Sequence, residues 1–321
     1  MRIAVLDDYQ GVARDYADWD SLAAEVEFFH DTPVDREALL RRLEPFDAIA
    51  AMRERTAFPR EVLAALPRLK LLVTTGMRNA AIDLDAAAEL GITVCGTGSG
   101  STAPHLAWGP TAELTWGLIL AVARRIPEQD RSVREGGWQL GVGVELAGRT
   151  LGVLGLGRLG SQVAKVGAAF GMDVIAWSHN LTEEAAAAAG ARRVAKDDLF
   201  READVLTIHT VLSERTRGLV GAPELALLRP TSYLVNTSRG PIVDEAALRE
   251  ALRAGRLAGA GIDVYSREPL PADDPWRGTP RTVLTPHVGY VTRGTYEAFY
   301  AETVEDLRAY LDGNPVRVLT P

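Results

Sequence analysis

The sequence predicts an α/β protein made of two Rossmann-like or flavodoxin-like domains, each built on a parallel sheet. Three observations predict it. Short β-rich runs alternate with helical patterns, the signature of βα units. Leu151-Gly152-Val153-Leu154, an apolar run, leads directly into Gly155-Leu156-Gly157-Arg158-Leu159-Gly160. A turn-rich stretch from Gly96 to Pro104 separates two such alternations and reads as a crossing between domains.

In the first alternation, strands are expected at Ile3–Leu6, Ala48–Ala51, Leu69–Val73 and Ile92–Val94. Helices are expected at Arg36–Leu43, Pro59–Leu66 and Leu84–Leu90. A long apolar helix should span Pro110–Arg125, with Leu114, Leu118 and Val122 on one buried ridge. Trp108 and Trp116 read as core or subunit packing. The glycine turn opens a helix near Leu159, running over Ser161–Phe170, and a second strand follows at Asp173–Trp177. Further strands are expected at Val205–His209, Tyr233–Asn236, Gly261–Val264 and Val283–Thr285, and a surface helix at Glu183–Ala189. The last helix, Thr292–Leu311, carries charged residues on one side and Phe299, Val304, Leu307 and Leu311 on the other. It is expected to return to the first domain. The expected division is therefore 1–101 with 289–321 for one domain and 102–288 for the other, with a cleft between them.

A chain of 321 residues has length for two domains and a substantial core. Its 47% hydrophobic and 24% charged content is that of an ordinary soluble protein. A net charge of −8 disfavours nucleic acid as a partner. One cysteine, Cys95, excludes an intrachain disulfide and fits a reducing cytoplasm. The start reads as a strand and not a leader, and no apolar run approaches the roughly 18 residues of a membrane span. The five histidines are scattered, so no metal site is expected.

The glycine segment carries the first chemistry. Gly155, Gly157 and Gly160 make a tight turn that lets backbone approach a pyrophosphate. The helix beginning at Arg158 and Leu159 offers N–H groups and partial positive charge. With strand before and helix after, this is a dinucleotide site. Three further spots follow strands, and in open α/β sheets ligands sit at the carboxyl ends of strands. In Val235-Asn236-Thr237-Ser238-Arg239-Gly240, Arg239 is placed to grip a carboxylate through two parallel N–H bonds, or else is a surface arginine after a turn. Gly261–Pro269 contains Asp263 at the end of an apolar strand and Glu268 in a proline-rich loop. Thr285-Pro286-His287-Val288-Gly289 places His287 after another strand. A carboxylate beside an imidazole favours the protonated ring and makes it a proton donor near neutrality.

In this order, these pieces resemble the D-isomer-specific 2-hydroxyacid dehydrogenase family, over almost the whole chain. The resemblance rests on G-L-G-R-L-G, on V-N-T-S-R-G-P-I-V-D-E at Val235–Glu245, on Gly261–Pro269, on T-P-H-V-G at Thr285–Gly289, and on Leu307–Val316. It implies reversible reduction of a small 2-oxo acid, such as glyoxylate or hydroxypyruvate, to the D-2-hydroxy acid, with NAD or NADP as cofactor. It implies that Arg239 orients the substrate, that His287 exchanges the proton and that Glu268 holds His287. It places Thr210 and Thr216 in a cofactor loop, and Thr237 and Asp263 at the coenzyme as well. In the first domain it implies substrate contacts from Arg53 and from the turn Gly76-Met77-Arg78, where backbone N–H groups would bind the carboxylate. Where an NAD-selective member would carry Asp, this chain has Ser178, followed by His179 and Asn180. NADP is therefore expected to be accepted at least as well as NAD. The resemblance also implies a homodimer through the Pro110–Arg125 region. Two alternatives stand beside this reading: 3-phosphoglycerate dehydrogenase, weighed down by the chain's end after the last helix, and a non-catalytic NAD-sensing corepressor-like binding protein.

Overall fold

Short apolar runs and helical stretches build two all-parallel sheets in the computed structural model, which describes residues 1–98 and 109–321. Trp108 and most of the expected crossing lie outside the described residues. The chain divides into two units, Met1–Ala107 with Val291–Pro321, and Trp108–Tyr290.

In the first unit, the elements are β1 (Arg2–Val5), β2 (Glu25–Phe28), α1 (Arg36–Leu43), β3 (Ala48–Ala51), α2 (Arg60–Leu63), β4 (Leu71–Thr74), α3 (Leu84–Glu89) and β5 (Thr93–Gly96). The sheet order is β2-β1-β3-β4-β5. Residues in β3 and β4 are buried throughout, as strands covered on both faces require. α1 and α3 begin where Asp35 and Asp83 accept the N–H groups of Ala38 and Ala86. β2 was not expected from the sequence. It is an edge strand, Glu-Val-Glu-Phe, whose glutamates point outward, so it has no continuous apolar run.

The second unit holds α4 (Pro110–Ala123), α5 (Ile126–Arg134), β6 (Thr150–Leu154), α6 (Arg158–Ala169), β7 (Asp173–Trp177), α7 (Glu183–Ala188) and β8 (Arg192–Arg193). It continues with α8 (Lys196–Glu202), β9 (Val205–Ile208), α9 (Ala222–Leu227), β10 (Tyr233–Asn236), α10 (Glu245–Arg253), β11 (Gly259–Ile262) and β12 (Thr282–Leu284). The sheet order is β12-β11-β10-β9-β6-β7-β8, so the winding reverses between β6 and β9. That reversal is where dinucleotides bind in such sheets. The expected long helix stops two residues early, because Arg125 takes a left-handed φ of 56° and the chain turns into α5. Leu118 and Val122 are buried and Leu114 half-buried. Trp116 is core: its ring stacks on Phe170 at 5.0 Å and its N–H donates to the Val163 carbonyl.

The returning helix α11 (Arg293–Leu311) belongs to the first unit. It buries Phe299, Val304 and Leu307. Its charged side is not wholly outside: Asp306 is fully buried and meets Arg317 at 2.9 Å.

Candidate active site

The glycine turn sits at the winding reversal, and three contacts explain its composition. Gly155 has φ +101°, and a Cβ there would lie 2.6 Å from the Thr210 nitrogen, in the loop after β9. A Cβ on Gly160 would lie 2.1 Å from the Gly155 carbonyl oxygen. Gly157 faces open space, and no side chain caps α6 behind it. A phosphate-bearing ligand thus finds uncapped N–H groups at Arg158 and Leu159 and no Cβ in its path. A dinucleotide fits this cradle. At the end of β7, the Ser178 hydroxyl accepts the Leu156 N–H at 3.0 Å, which ties the end of that strand to the turn. The exposed ring of His179 packs edge-on against Trp177, and Asn180 is exposed.

Loops after β9 and β10 interlock beside the turn. Ser238 donates to the Thr210 carbonyl at 2.5 Å. Thr216 spends its hydroxyl inside its own loop, donating to the Val211 carbonyl at 2.6 Å. Thr237 pairs with Thr115 of α4, hydroxyl to hydroxyl, at 2.8 Å. Both threonines are buried, so each shapes the rim. His209, which ends this strand, has its imidazole pushed down to about 4 by burial. It is neutral at physiological pH and is no proton donor there.

Asn236 shapes the turn that carries Arg239. Its side chain accepts from Ser238 N–H and donates to the Arg239 carbonyl, both at 3.0 Å. The sequence reading passed over Asn236, although Asn before a small-residue turn is a known side-chain-to-backbone motif. Arg239 is half-buried and donates to the Ser238 carbonyl at 2.8 Å. Gly240 follows because a Cβ there would lie 2.1 Å from the Tyr265 carbonyl carbon. The Arg239 loop therefore lies against the loop after β11.

That second loop carries Glu268, and the loop after β12 carries His287. Glu268 accepts the Tyr265 N–H through Oε1 at 2.8 Å, and its Oε2 lies 2.5 Å from His287 Nδ1. His287 has φ 55°, the left-handed region that a non-glycine residue seldom adopts. Asp263 accounts for this geometry. Its Oδ1 accepts from the Thr285 hydroxyl at 2.6 Å and from Val288 N–H at 2.9 Å, and its Oδ2 accepts from Gly289 N–H at 3.0 Å. Asp263 is fully buried, and burial raises its carboxyl above the usual range against the pull of those three donors. The sequence reading placed Asp263 at the coenzyme. In the structure both of its oxygens clamp the His287 loop.

In the first unit, Arg53 also has a left-handed φ, 52°. Its N–H donates to the Thr75 hydroxyl at 2.9 Å, and Asn79 holds its carbonyl at 2.7 Å. Its guanidinium lies over Gly76: a Cβ there would be 2.2 Å from Nη1. The N–H of Gly76 was expected to face a carboxylate. It instead donates to the Thr97 hydroxyl at 2.9 Å, because β5 brings Thr97 beside it. Met77 and Arg78 are exposed.

Among the described residues no group of three or more His, Cys, Asp or Glu could hold a metal, and no helix is long and apolar enough to cross a membrane.

Reversed winding, a glycine cradle at the reversal and a Glu–His pair at the same sheet edge define an α/β dinucleotide-binding oxidoreductase. Residues 116–289 match the NAD binding domain of D-isomer specific 2-hydroxyacid dehydrogenases. A glyoxylate reductase from Aeropyrum pernix is 39% identical over 290 residues, covering 88% of this chain and 84% of its own length. The chain therefore belongs to the D-isomer specific 2-hydroxyacid dehydrogenase family and is an NAD-dependent oxidoreductase. A D-3-phosphoglycerate dehydrogenase from Archaeoglobus fulgidus is 37% identical over 99% of this chain, which spans 58% of that protein. The crystal structure of a phosphoglycerate oxidoreductase from Vibrio cholerae O395 superposes with a TM-score of 0.91 at 36% identity, covering 98% of this chain and 99% of that one.

Proposed function

We propose that this protein reversibly reduces a small 2-oxo acid of the glyoxylate or hydroxypyruvate kind to the D-2-hydroxy acid. The observation that carries this reading is the 2.5 Å contact between Glu268 and His287 Nδ1. Holding Nδ1 leaves Nε2 as the nitrogen that gives the proton to the substrate carbonyl oxygen, and takes it back in reverse. The nicotinamide coenzyme, when bound, supplies or accepts the hydride. Arg239 orients the substrate carboxylate, and Asp263 holds the His287 loop in place. Arg53 and the N–H of Met77, with Arg78, bind an anionic group of the substrate at the first unit.

Turnover of a panel of 2-oxo acids with NADH, by the wild type and by His287→Ala, tests this. The variant should bind NADH and lose turnover; full activity in it would remove the acid–base assignment. Preference for 3-phosphohydroxypyruvate within the panel would favour the phosphoglycerate reading, which the relative from Archaeoglobus fulgidus supports. Negligible turnover of every acid, with NADH-dependent capture of a peptide partner, would favour the coenzyme-sensing reading.

Two finer assignments accompany it. NADPH serves at least as well as NADH, since Ser178 brings no charge against a 2′-phosphate; a hundredfold preference for NADH in kcat/KM, about 3 kcal/mol, would refute this. The protein works in the cytoplasm as a homodimer. An apolar face of Ile126 and Val133 on α5, with Trp138 and Val142 beyond it, is exposed to between 51% and 90%, more than a lone surface needs. Sedimentation of the wild type and of Trp138→Asp checks the dimer.

A further inference from the structure

Tyr265 touches all three segments that carry the proposed chemistry. Its N–H donates to Glu268 Oε1 at 2.8 Å. Its hydroxyl donates to the Thr285 carbonyl at 3.0 Å, two residues before His287. Its carbonyl carbon would lie 2.1 Å from a Cβ on Gly240, the residue directly after Arg239.

The residue is firmly held. Tyr265 is 6% exposed, and its ring meets the buried ring of Trp276 at 6.5 Å and 70°. The next N–H, of Ser266, donates to Glu245 of α10 at 2.7 Å. Two carboxylates thus take consecutive N–H groups of this loop, Glu268 from within it and Glu245 from the helix that follows Arg239. Burial pushes the Tyr265 phenol up, and the carboxylates of Asp263 and Glu268 add to the rise. The hydroxyl therefore keeps its proton and stays a donor throughout the neutral range.

Thr285 passes this constraint to the imidazole. Asp263 holds its hydroxyl at 2.6 Å, and Tyr265 holds its carbonyl. Pro286 stands between Thr285 and His287, with φ fixed by its own ring. A shift of Thr285 therefore carries His287 with it, relative to a Glu268 that is anchored on the Tyr265 N–H.

We propose that Tyr265 is a positioning residue for the proton transfer: its N–H and its hydroxyl together fix the separation of Glu268 from His287, without exchanging the proton itself. The inference rests on the acid–base role given above to that pair. A tyrosine that only filled the core would lower stability when altered and leave the chemistry alone.

Tyr265→Phe keeps the ring and the N–H and removes only the hydroxyl. With NADH and whichever 2-oxo acid the wild type turns over fastest, kcat should fall about three- to tenfold, with KM for NADH unchanged. Ser232→Ala is the control. It removes a buried bond of the same kind, hydroxyl to the Ala203 carbonyl at 2.8 Å, just before β10, and should leave kcat unchanged. In a Glu268→Gln background the loss from Tyr265→Phe should shrink, because the charged partner it places is gone. Amide exchange of residues 285–290, read by mass spectrometry without substrate, should be about fivefold faster in Tyr265→Phe. An unchanged kcat, an equal loss in Ser232→Ala, full additivity with Glu268→Gln, or unchanged exchange would each overturn the proposal. A wild type that turns over no 2-oxo acid would instead refute the proposed reaction, and the exchange rates would still decide whether Tyr265 holds the His287 loop.

Discussion

Glu268 divides its carboxylate between two tasks: Oε1 accepts the Tyr265 N–H and Oε2 meets His287 Nδ1. The same side chain therefore fixes its own loop and the ring it serves. Glu268→Gln keeps the size and one acceptor but loses the negative charge that lies against the His287 ring. We expect kcat for 2-oxo acid reduction to fall by about 10²-fold or more, with the affinity for NADH unchanged. Stopped-flow reduction and a separate NADH fluorescence titration measure the two; an unaltered kcat would count against the pairing.

Asp263 clamps the His287 loop with three accepted hydrogen bonds. In Asp263→Asn, one acceptor oxygen becomes an NH₂ group that faces a donor. At least one buried N–H or hydroxyl is then left unpaired, at a cost of about 1–3 kcal/mol. We expect a lower urea midpoint, and a loss of kcat larger than any rise in KM for NADH, because the imidazole is no longer held. Loss of NADH affinity alone would instead favour a direct coenzyme contact.

Gly157 and Gly160 should behave differently although they share one turn. A Cβ on Gly160 meets the Gly155 carbonyl, so Gly160→Ala should lower thermal stability, by about 1–3 kcal/mol. A Cβ on Gly157 meets nothing within 4 Å, so Gly157→Ala should fold normally. Its methyl group stands where a pyrophosphate approaches, and NADH binding should weaken by about tenfold or more. Thermal melts with and without NADH separate the two effects.

Asp306 is buried on α11 beside Arg317, and one of its oxygens has no hydrogen-bond partner. Burial pushes its carboxyl up to about 7 from the ordinary 3.8. The folded state therefore holds this proton more tightly than the unfolded state does. Its stabilising contribution is fully present below about pH 4 and is lost as pH rises through about 7. Wild-type stability should decline more between about pH 5 and about pH 8 than that of Asp306→Asn. Urea midpoints at the two pH values provide the check, and equal declines would refute the assignment.

Much of this was legible in linear order. Apolar runs marked the buried strands of both sheets, since a strand covered on both faces has no polar side to hide. Gly155 and Gly160 announced their turn because close backbone approach leaves no room for a Cβ there, and Gly157 because a pyrophosphate needs an open approach. Two edge strands were not legible: in Glu25-Val26-Glu27-Phe28 and Arg192-Arg193 the charged residues face solvent, and pairing with a neighbour is what makes these segments strands. Nor was the end of α4, which depends on the left-handed turn at Arg125.

Residue type and spacing along the chain were enough to name the chemistry, because a phosphate cradle, a guanidinium and an imidazole with its carboxylate each have a local signature. Partnership was beyond that reach. Asp263 and Gly289 are 26 positions apart, and Gly240 meets Tyr265 across two strands. Whether a buried carboxylate touches coenzyme or clamps a loop depends on which donors packing brings within about 3 Å of it, and those contacts exist only once the strands have paired.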